Sequence, residues 1–177
     1  MEFHQLRYFL AVARAGSFVR AAEQEGIVPR GNSGQPLNLG FKAGTLHDWR
    51  AEGPAFEGQP VKGDTVAPRR ADMKSGHSGQ YWIGTYERKG DAPRGTLTSV
   101  PFKVTHPYAS FRVAGGRHEE TRVELVRADD QKVFFRISGA DNETLRPVVV
   151  DLKPHEGKTI FVRVVDHHSG PWGHINF

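Results

Sequence analysis

The sequence predicts a mostly β protein: an antiparallel β-sandwich preceded by a short helical segment at the N-terminus. From residue 37 onward, apolar and polar residues alternate along short stretches, which is the period of a half-buried strand. Glycine, proline and aspartate separate these stretches, and no helical periodicity lies between them. Because parallel sheets need crossover helices between their strands, this order favours antiparallel pairing.

The first element is helical. Apolar residues from Phe3 to Ala13 recur at three- and four-residue steps, which places them on one face of a helix. Gly16 suits a left-handed C-terminal cap, and Ser17 suits the N-cap of a following helix. We therefore expect residues 1–25 to form a short helical fragment.

Within this fragment, LRYFLAVARAGSFVRAAE resembles the N-terminal helix-turn-helix of LysR-type transcriptional regulators, a resemblance that implies duplex DNA as a partner. Such a domain needs a recognition helix next, to enter the major groove. Gly26, Pro29, Gly31, Gly34 and Pro36 follow instead, and they prevent a helix of useful length. We therefore expect residues 26–36 to be a linker and nucleic acid not to be a partner.

The strands of the sandwich follow in residues 37–177. The segment TRVELVRADDQKVFFRI alternates on both sides of an ADDQ turn, which predicts a hairpin with one buried face. Residues 41–79 are irregular and rich in glycine, proline and charge, so we expect loops there that cover one end of the sandwich. The predicted strands are Gln80–Glu87, Gly95–Ser99, Ala109–Ala114, Arg122–Arg127, Lys132–Ser138, Pro147–Leu152, Thr159–Asp166 and His174–Phe177.

Composition limits the classes of function. The 177 residues are 37% apolar and 25% charged, which is ordinary for a globular domain. The formal net charge of +4 is spread along the chain, so nonspecific attraction to phosphate is not expected. The absence of cysteine excludes disulfides, thiolate metal sites and a cysteine nucleophile. No stretch has the pattern of a signal peptide or a transmembrane helix, so we expect no membrane partner and assign no compartment.

Several motifs in residues 36–177 resemble a known family in their order and spacing. They are PLNLGFKAGTLHDW, GQPVKG, HSGQYWIGTYE, GTLTSVPFKV, ASFRVAGG and VVDHHSGPWGHINF. They resemble the galactose-binding-like jelly-roll module beside the catalytic domains of levanase- and invertase-type glycoside hydrolases, and more closely the equivalent module of planctomycete cytochrome-c-type proteins. The resemblance implies a jelly-roll sandwich that is a non-catalytic accessory module within a larger protein. Its class is often extracytoplasmic and includes many carbohydrate-binding modules, besides members with no known ligand.

Carbohydrate recognition needs an aromatic face for the pyranose ring and directed hydrogen bonds at the ring edge. Trp172 lies in a turn rich in glycine and proline, so we expect it to be the aromatic platform. Alternation in QYWIGTYE places one aromatic set in the core, and we expect Trp49 and Trp82 to be core residues. The candidate ligand-binding residues are Trp172, His174, Arg112, His118 and Tyr86.

Histidines near the C-terminus raise the question of a zinc site. DHHSGPWGH contains Asp166, His167, His168 and His174. Adjacent His167 and His168 point to opposite faces if the strand continues, so both cannot bind one ion without a bend. We expect His174 instead to be a hydrogen-bonded histidine near a loop end, as its place in the resembling motif suggests.

Structural calcium is implied by the jelly-roll resemblance, with ligands near the first and last strands. Calcium binds six to eight hard oxygens, and Asn38 and Asn176 are available at those two ends. Lys42, however, stands where the resembling motif has an acid, and its ammonium group would repel a cation. We expect no other cofactor.

The sequence contains no motif of a known catalytic centre. It has no nucleophile elbow, phosphate-binding glycine loop or HExxH pattern. Glu87 and Asp91 could be paired carboxylates for glycoside hydrolysis, but on a strand and its adjoining turn we expect solvated charges. The leading hypothesis is a non-catalytic binding module. The alternatives are a LysR-like DNA-binding regulator fragment and a structural spacer without a ligand.

Overall fold

Antiparallel strands make up most of the regular structure in the computed structural model, which describes residues 28–177. The helical fragment predicted for residues 1–25 lies outside these residues. Helix α1 spans Tyr86–Lys89, and single 3-10 turns lie at Pro54–Phe56 and Lys153–His155. The strands are β1 (Trp49–Glu52), β2 (Val61–Lys62), β3 (Tyr81–Trp82), β4 (Gly95–Ser99), β5 (Phe102–Lys103), β6 (Tyr108–Gly115), β7 (Thr121–Arg127), β8 (Val133–Ser138), β9 (Asn142–Asp151), β10 (Thr159–Asp166) and β11 (Ile175–Asn176).

The strands form the two sheets of a sandwich. The larger sheet has the order β1-β4-β10-β7-β8, with β5 paired to the beginning of β10. The smaller sheet has the order β11-β6-β9, and β2 and β3 form a separate hairpin. All of these pairings are antiparallel. The predicted antiparallel β-sandwich is therefore confirmed.

Apolar side chains from both sheets form the main core. Leu97, Val123 and Val164 of the larger sheet pack in one cluster with Val113 and Ile175 of the smaller sheet, and all five are fully buried. Burial of each such side chain stabilises the fold by about 1.5–3 kcal/mol relative to its exposed state. Val123 belongs to the hairpin predicted from TRVELVRADDQKVFFRI, and it lies on a face of that hairpin that is buried against the smaller sheet.

Both tryptophans predicted to be core residues are buried. Trp49 stacks on Phe41 with ring centroids 5.2 Å apart, and its indole N–H donates to the Asn38 carbonyl at 3.1 Å. Trp82 is only 2% exposed and donates to the Gly63 carbonyl at 2.8 Å. Each ring thus buries its apolar body while its single donor is satisfied.

The structure corrects the prediction for residues 41–87. The expected loop region contains β1, an edge strand that pairs with β4 in a register that includes Trp49 opposite Ser99. It also contains β2. The predicted strand Gln80–Glu87 is reduced to β3, because the chain turns into α1 at Tyr86. β1 has only four residues, and Trp49 alone is buried, so its alternation is too short to give a clear signal in the sequence.

Part of the predicted linker, residues 26–36, is a hydrogen-bonded turn. The Gly31 N–H donates to the Gln35 carbonyl at 3.0 Å, and the Leu37 N–H donates to the Pro29 carbonyl at 2.8 Å. Leu37 is buried in the main core and anchors the turn to the sandwich. No helix within residues 28–177 has the length and apolar character needed to cross a membrane.

Candidate functional site

An open cleft of about 230 Å³ lies beside the start of β9, where aromatic rings meet paired charges. We call it the Trp172 cleft. Its lining residues are Arg69, Arg70, Tyr86, Asp91, Glu143, Pro171, Trp172 and His174. The volume is below the roughly 300–1,000 Å³ typical of pockets for drug-sized ligands. The cleft therefore suits a single small ring or the end of a chain.

Asp64 shapes the loop between β2 and β3 that supplies the two arginines. Its carboxylate accepts hydrogen bonds from the backbone N–H groups of Val66 at 3.0 Å and Ser75 at 3.1 Å. Burial raises the pKa of Asp64, but these backbone donors outweigh it, and the pKa lies below its usual value. The Arg69 and Arg70 N–H groups then donate to the Val66 carbonyl, which turns both arginines toward the cleft.

A network of buried charges forms the floor of the cleft. Arg69 donates to Glu143 Oε1 at 2.9 Å and also to Glu87. The side chains of Glu87 and Glu143 are 3% and 2% exposed, so the prediction that Glu87 is a solvated charge is wrong. Glu87 is buried because α1 turns it toward Arg69 instead of continuing the predicted strand.

Glu143 is the centre of this network. Its Oε2 accepts a hydrogen bond from Asn176 Nδ2 at 3.0 Å and lies 3.4 Å from His174 Nε2. Burial raises the pKa of Glu143, but His174, Arg69 and Asn176 together lower it to about 2. Glu143 is therefore ionised across the physiological pH range.

His174 connects the network to Asp91. Its Nδ1 lies 2.6 Å from Asp91 Oδ1, and the side chain is 3% exposed. Burial disfavours the imidazolium, but the neighbouring Glu143 and Asp91 carboxylates outweigh it and raise the pKa of His174. The two carboxylates thus shift the ring toward its protonated form, in which both nitrogens can donate.

Asp166, at the end of β10, is a second buried acid close to His174. Burial raises its pKa to about 7, against the opposing effects of the Thr85 hydroxyl and the His174 charge. Its Oδ1 has no hydrogen-bond partner among residues 28–177. Asp166 does not line the Trp172 cleft.

Trp172 lies at the mouth of the cleft with a strained backbone. Its φ of 59° is in the left-handed region that bulky residues rarely adopt. The Gly173 N–H closes the turn by donating to the Gly170 carbonyl at 2.8 Å. A Cβ on Gly116 would come within 1.9 Å of the Trp172 carbonyl oxygen, so only glycine permits this approach. The surrounding structure therefore holds Trp172 in this conformation.

Two aromatic rings lie beside His174, and an arginine lies over each of these rings. The Trp172 and Tyr86 ring centroids are 5.4 and 5.1 Å from that of His174. The Arg69 guanidinium lies 4.4 Å from the Tyr86 ring centroid, which is close cation–π distance. Arg70 lies 5.9 Å from the Trp172 centroid. The cleft thus combines aromatic faces with hydrogen-bond donors and acceptors.

Three of the predicted ligand-binding residues line the cleft: Tyr86, Trp172 and His174. His118 lies next to it, with Nε2 3.1 Å from the Pro171 carbonyl oxygen. Arg112 is outside the lining, and its Nη1 is 3.5 Å from the Gly76 carbonyl oxygen. The sequence analysis thus found the aromatic part of the cleft.

Arg69, Arg70 and Glu143 were missed by the sequence analysis. The arginines lie in a loop without periodicity, and Glu143 lies before the predicted start of its strand. One signal for Glu143 exists, because Glu143 and Leu145 are both inward positions of β9. An acidic residue on the same strand face as a buried apolar residue indicates a buried, paired charge.

The two residues proposed for calcium make different contacts. The Asn38 side chain bonds its own turn: Nδ2 donates to the Thr45 carbonyl at 2.9 Å, and Oδ1 accepts from the Ala43 N–H at 3.0 Å. Asn176 instead donates to Glu143. Asn176 Oδ1 is buried and has no hydrogen-bond partner among the described residues, so calcium at Asn38 and Asn176 stays a prediction.

The C-terminal histidines diverge. His167 Nε2 is 3.0 Å from Thr96 Oγ1, and the His168 ring stacks on His118. His174 lies in the Trp172 cleft. These three histidines therefore belong to different surroundings.

A curated protein is similar to part of this chain in sequence. No family model matches the chain. The curated protein "Putative glycosyl hydrolase ecdE" of Aspergillus rugulosus is 32% identical over 129 residues, which are 72% of this chain and 18% of that protein. The chain thus spans less than a fifth of the length of this relative.

Solved structures also resemble the sandwich. TmCBM61, solved in complex with β-1,4-galactotriose, aligns with a TM-score of 0.50 at 17% identity, over 79% of this chain and 90% of that one. The K1 adhesin domain of Lys-gingipain from Porphyromonas gingivalis aligns with a TM-score of 0.41 at 14% identity, over 77% and 90% of the two chains. The likeness to TmCBM61 is a likeness of fold. None of these proteins supports the LysR resemblance.

Proposed function

We propose that this chain is a non-catalytic carbohydrate-binding module that holds a neutral sugar in the Trp172 cleft. The observation that carries the proposal is Trp172 itself, held in a strained turn at the mouth of a cleft with a polar floor. Backbone strain of this kind costs about 1–3 kcal/mol and clusters at functional sites. The fold shared with TmCBM61, whose structure contains β-1,4-galactotriose, supports the same class of ligand.

The chemistry of the cleft suits one pyranose ring. The indole of Trp172 offers a flat apolar face for the C–H side of the sugar. Asp91 and Arg70 stand at the edge, where a carboxylate accepts and a guanidinium donates hydrogen bonds to hydroxyl groups. Tyr86 and His174 close the inner side.

The charges of the cleft favour a neutral sugar over an acidic one. Arg69 is paired with Glu87 and Glu143, and Arg70 is paired with Asp72 through two hydrogen bonds. Both guanidinium charges are thus already neutralised, and the carboxylate of a uronic acid would lie close to Asp91 and Glu143, which repel it. Neutral hydroxyl groups can instead use the remaining N–H donors.

The carboxylates of the cleft support a binding role over hydrolysis. Glycoside hydrolysis uses a protonated acid and a second carboxylate that both face the sugar. The pKa of Glu143 is lowered to about 2, and Asp91 is held by His174. Asp166, whose pKa is raised to about 7, lies outside the lining. The resemblance to a small part of a protein named as a glycosyl hydrolase fits an accessory position beside a catalytic domain.

The proposal can be tested by calorimetric titration. The ligands are β-1,4-galactotriose, a set of other neutral oligosaccharides and a matched set of uronic oligosaccharides. We expect neutral sugars to bind, and Trp172→Ala to weaken binding at least about tenfold, which corresponds to about 1.4 kcal/mol. Tyr108→Ala is the matched control, because Tyr108 lies at the start of β6, opposite Asp151, and is not part of the cleft lining.

Three outcomes would contradict the proposal. Silence across all the glycans would favour a spacer without a ligand. Equal losses in the two variants would remove the site from the Trp172 cleft. Release of reducing ends from any bound oligosaccharide would make the module catalytic.

A further inference from the structure

Outside the Trp172 cleft, a second group of side chains has the composition of a metal site. We infer that His118, Glu120 and His168 bind one transition-metal ion, of the zinc type, and that this ion clamps the loop of residues 167–173 that carries Trp172. The inference does not depend on the sugar ligand. It is built on the positions of three potential ligands from two separate loops.

The three side chains are already close to one another. One potential ligand atom from each lies within 4.8 Å of the other two. The His118 and His168 rings are stacked, with centroids 3.8 Å apart and an interplanar angle of 17°. His118 and His168 are half-buried, and Glu120 is exposed, so the group is reachable from solvent.

Backbone hydrogen bonds fix the two loops against each other at this point. The His167 N–H donates to the Glu120 carbonyl at 2.9 Å, which ties the second loop to the first. The Ser138 hydroxyl donates to the His118 carbonyl at 2.9 Å and anchors the first loop to β8. The ligands are therefore carried by a framework that is held independently of any ion.

The donor set selects the class of metal. Two imidazole nitrogens and one carboxylate are common ligands of zinc, and three protein ligands leave the fourth tetrahedral position open. Copper(II) and nickel(II) also prefer imidazole, whereas calcium and magnesium prefer sets made only of oxygen. A ring nitrogen binds metal in the plane of its ring, so one imidazole must rotate out of the stack when the ion enters.

One covalent link and one polar contact connect the proposed metal site to the Trp172 cleft. His168 and Trp172 belong to the same loop, and His118 Nε2 lies 3.1 Å from the Pro171 carbonyl oxygen. Rotation of either imidazole therefore changes the surroundings of the Pro171–Trp172 turn. A bound ion would join the loops of residues 117–120 and 167–173 directly.

Calorimetric titration with zinc chloride tests the inference. The protein is the full chain without an affinity tag. We expect one zinc ion per chain, and Glu120→Gln and His168→Ala should each weaken binding at least about tenfold. Glu120 is exposed, so its variant is expected to fold. His167→Ala is the matched control, because His167 is adjacent in sequence but contacts Thr96. Calcium chloride should give no comparable binding.

The inference is overturned if zinc does not saturate at one ion per chain, or if His167→Ala weakens binding as much as His168→Ala. A second readout is tryptophan emission, which should change on zinc addition in the natural chain and change less in Trp172→Phe. Emission that changes equally in both proteins, or in neither, overturns the clamp on the Trp172 loop.

Discussion

Glu143 contacts three other residues of the charge network below the cleft. We therefore expect its replacement to lower the free energy of unfolding. It accepts hydrogen bonds from Arg69 and Asn176 and lies beside His174. Removing one partner from a buried charge network costs about 3–5 kcal/mol, because the remaining charges stay buried and unpaired. Glu87 continues to neutralise Arg69, so we predict that Glu143→Gln lowers the free energy of unfolding by about 2–4 kcal/mol at neutral pH.

Urea denaturation measures this loss. Glu57→Gln is the control, because its carboxylate is 62% exposed in its pair with Lys89 and should contribute at most about 1 kcal/mol. The folded pKa of Glu143 is depressed from 4.5 to about 2, so its contribution is present above the unfolded pKa and is lost as pH falls toward the folded value. Equal losses in the two variants would contradict the buried network.

The contribution of Asp166 to stability should change with pH in the opposite direction to that of Glu143. Its pKa rises from 3.8 to about 7, so between these values the folded chain holds a proton that the unfolded chain has released. Stability therefore falls as pH rises through this window. Asp166→Asn removes the titration, and the variant should gain stability relative to the natural chain by about 1.4 kcal/mol per unit of pKa shift, a few kcal/mol in all.

Urea denaturation at about pH 4.5 and about pH 8 compares the two ends of the window in which Asp166 titrates. Asp151→Asn, at an exposed carboxylate, provides the control and should show no such gain. A stability difference between Asp166→Asn and the natural chain that stays constant with pH would show that the carboxyl is not shifted.

At the scale of elements, whether a strand could be predicted from the sequence depends on its position in the sheet. Gly95–Ser99 and Thr159–Asp166 were predicted with both ends correct, and both strands lie between neighbours in the larger sheet. Burial on one face imposes alternation on such strands, so the pattern is visible in the sequence. β1 and β5 were missed because they have only four and two residues, too few to show a clear alternation.

β9 shows a second limit of sequence patterns. The prediction began at Pro147, where a strand start accommodates the missing N–H, but β9 begins at Asn142. The smaller sheet has β9 at its edge, and an edge strand tolerates proline within its length. Glu143 was missed for this reason, whereas Arg69 and Arg70 were missed because the turn that orients them depends on Asp64.

Close approach of two turns holds the Trp172 loop in place, and this contact can be tested. A Cβ on Gly116 would meet the Trp172 carbonyl oxygen, whereas a Cβ on Gly40 would meet no atom within 4 Å. We predict that Gly116→Ala lowers the melting temperature by several degrees and abolishes binding at the cleft, because the loop must move. Gly40→Ala should leave the melting temperature within about a degree, since surface substitutions of this kind usually change stability by less than about 0.5 kcal/mol. Similar melting temperatures for the two variants would contradict the tight contact.

At the scale of the whole molecule, the cleft exists only in the folded chain. Its residues come from the β2–β3 loop, from α1 and the turn after it, from the start of β9 and from the loop before β11. The two sheets bring these segments together at one place. Ligand binding should therefore stabilise the sandwich as a unit, since a ligand that binds only the folded state shifts the unfolding equilibrium.

Two features of the whole chain favour a binding module over the LysR-like DNA-binding regulator. Glycines and prolines follow residues 1–25, and residues 29–37 form a hydrogen-bonded turn where a recognition helix would have to begin. The net charge of +4 is spread along the chain, which leaves little attraction to phosphate. We therefore predict that the full chain and a chain of residues 28–177 give the same fluorescence anisotropy with labelled duplex DNA at low salt. Binding that weakens with salt and disappears when residues 1–27 are removed would establish the regulator alternative, because counterion release produces that salt dependence.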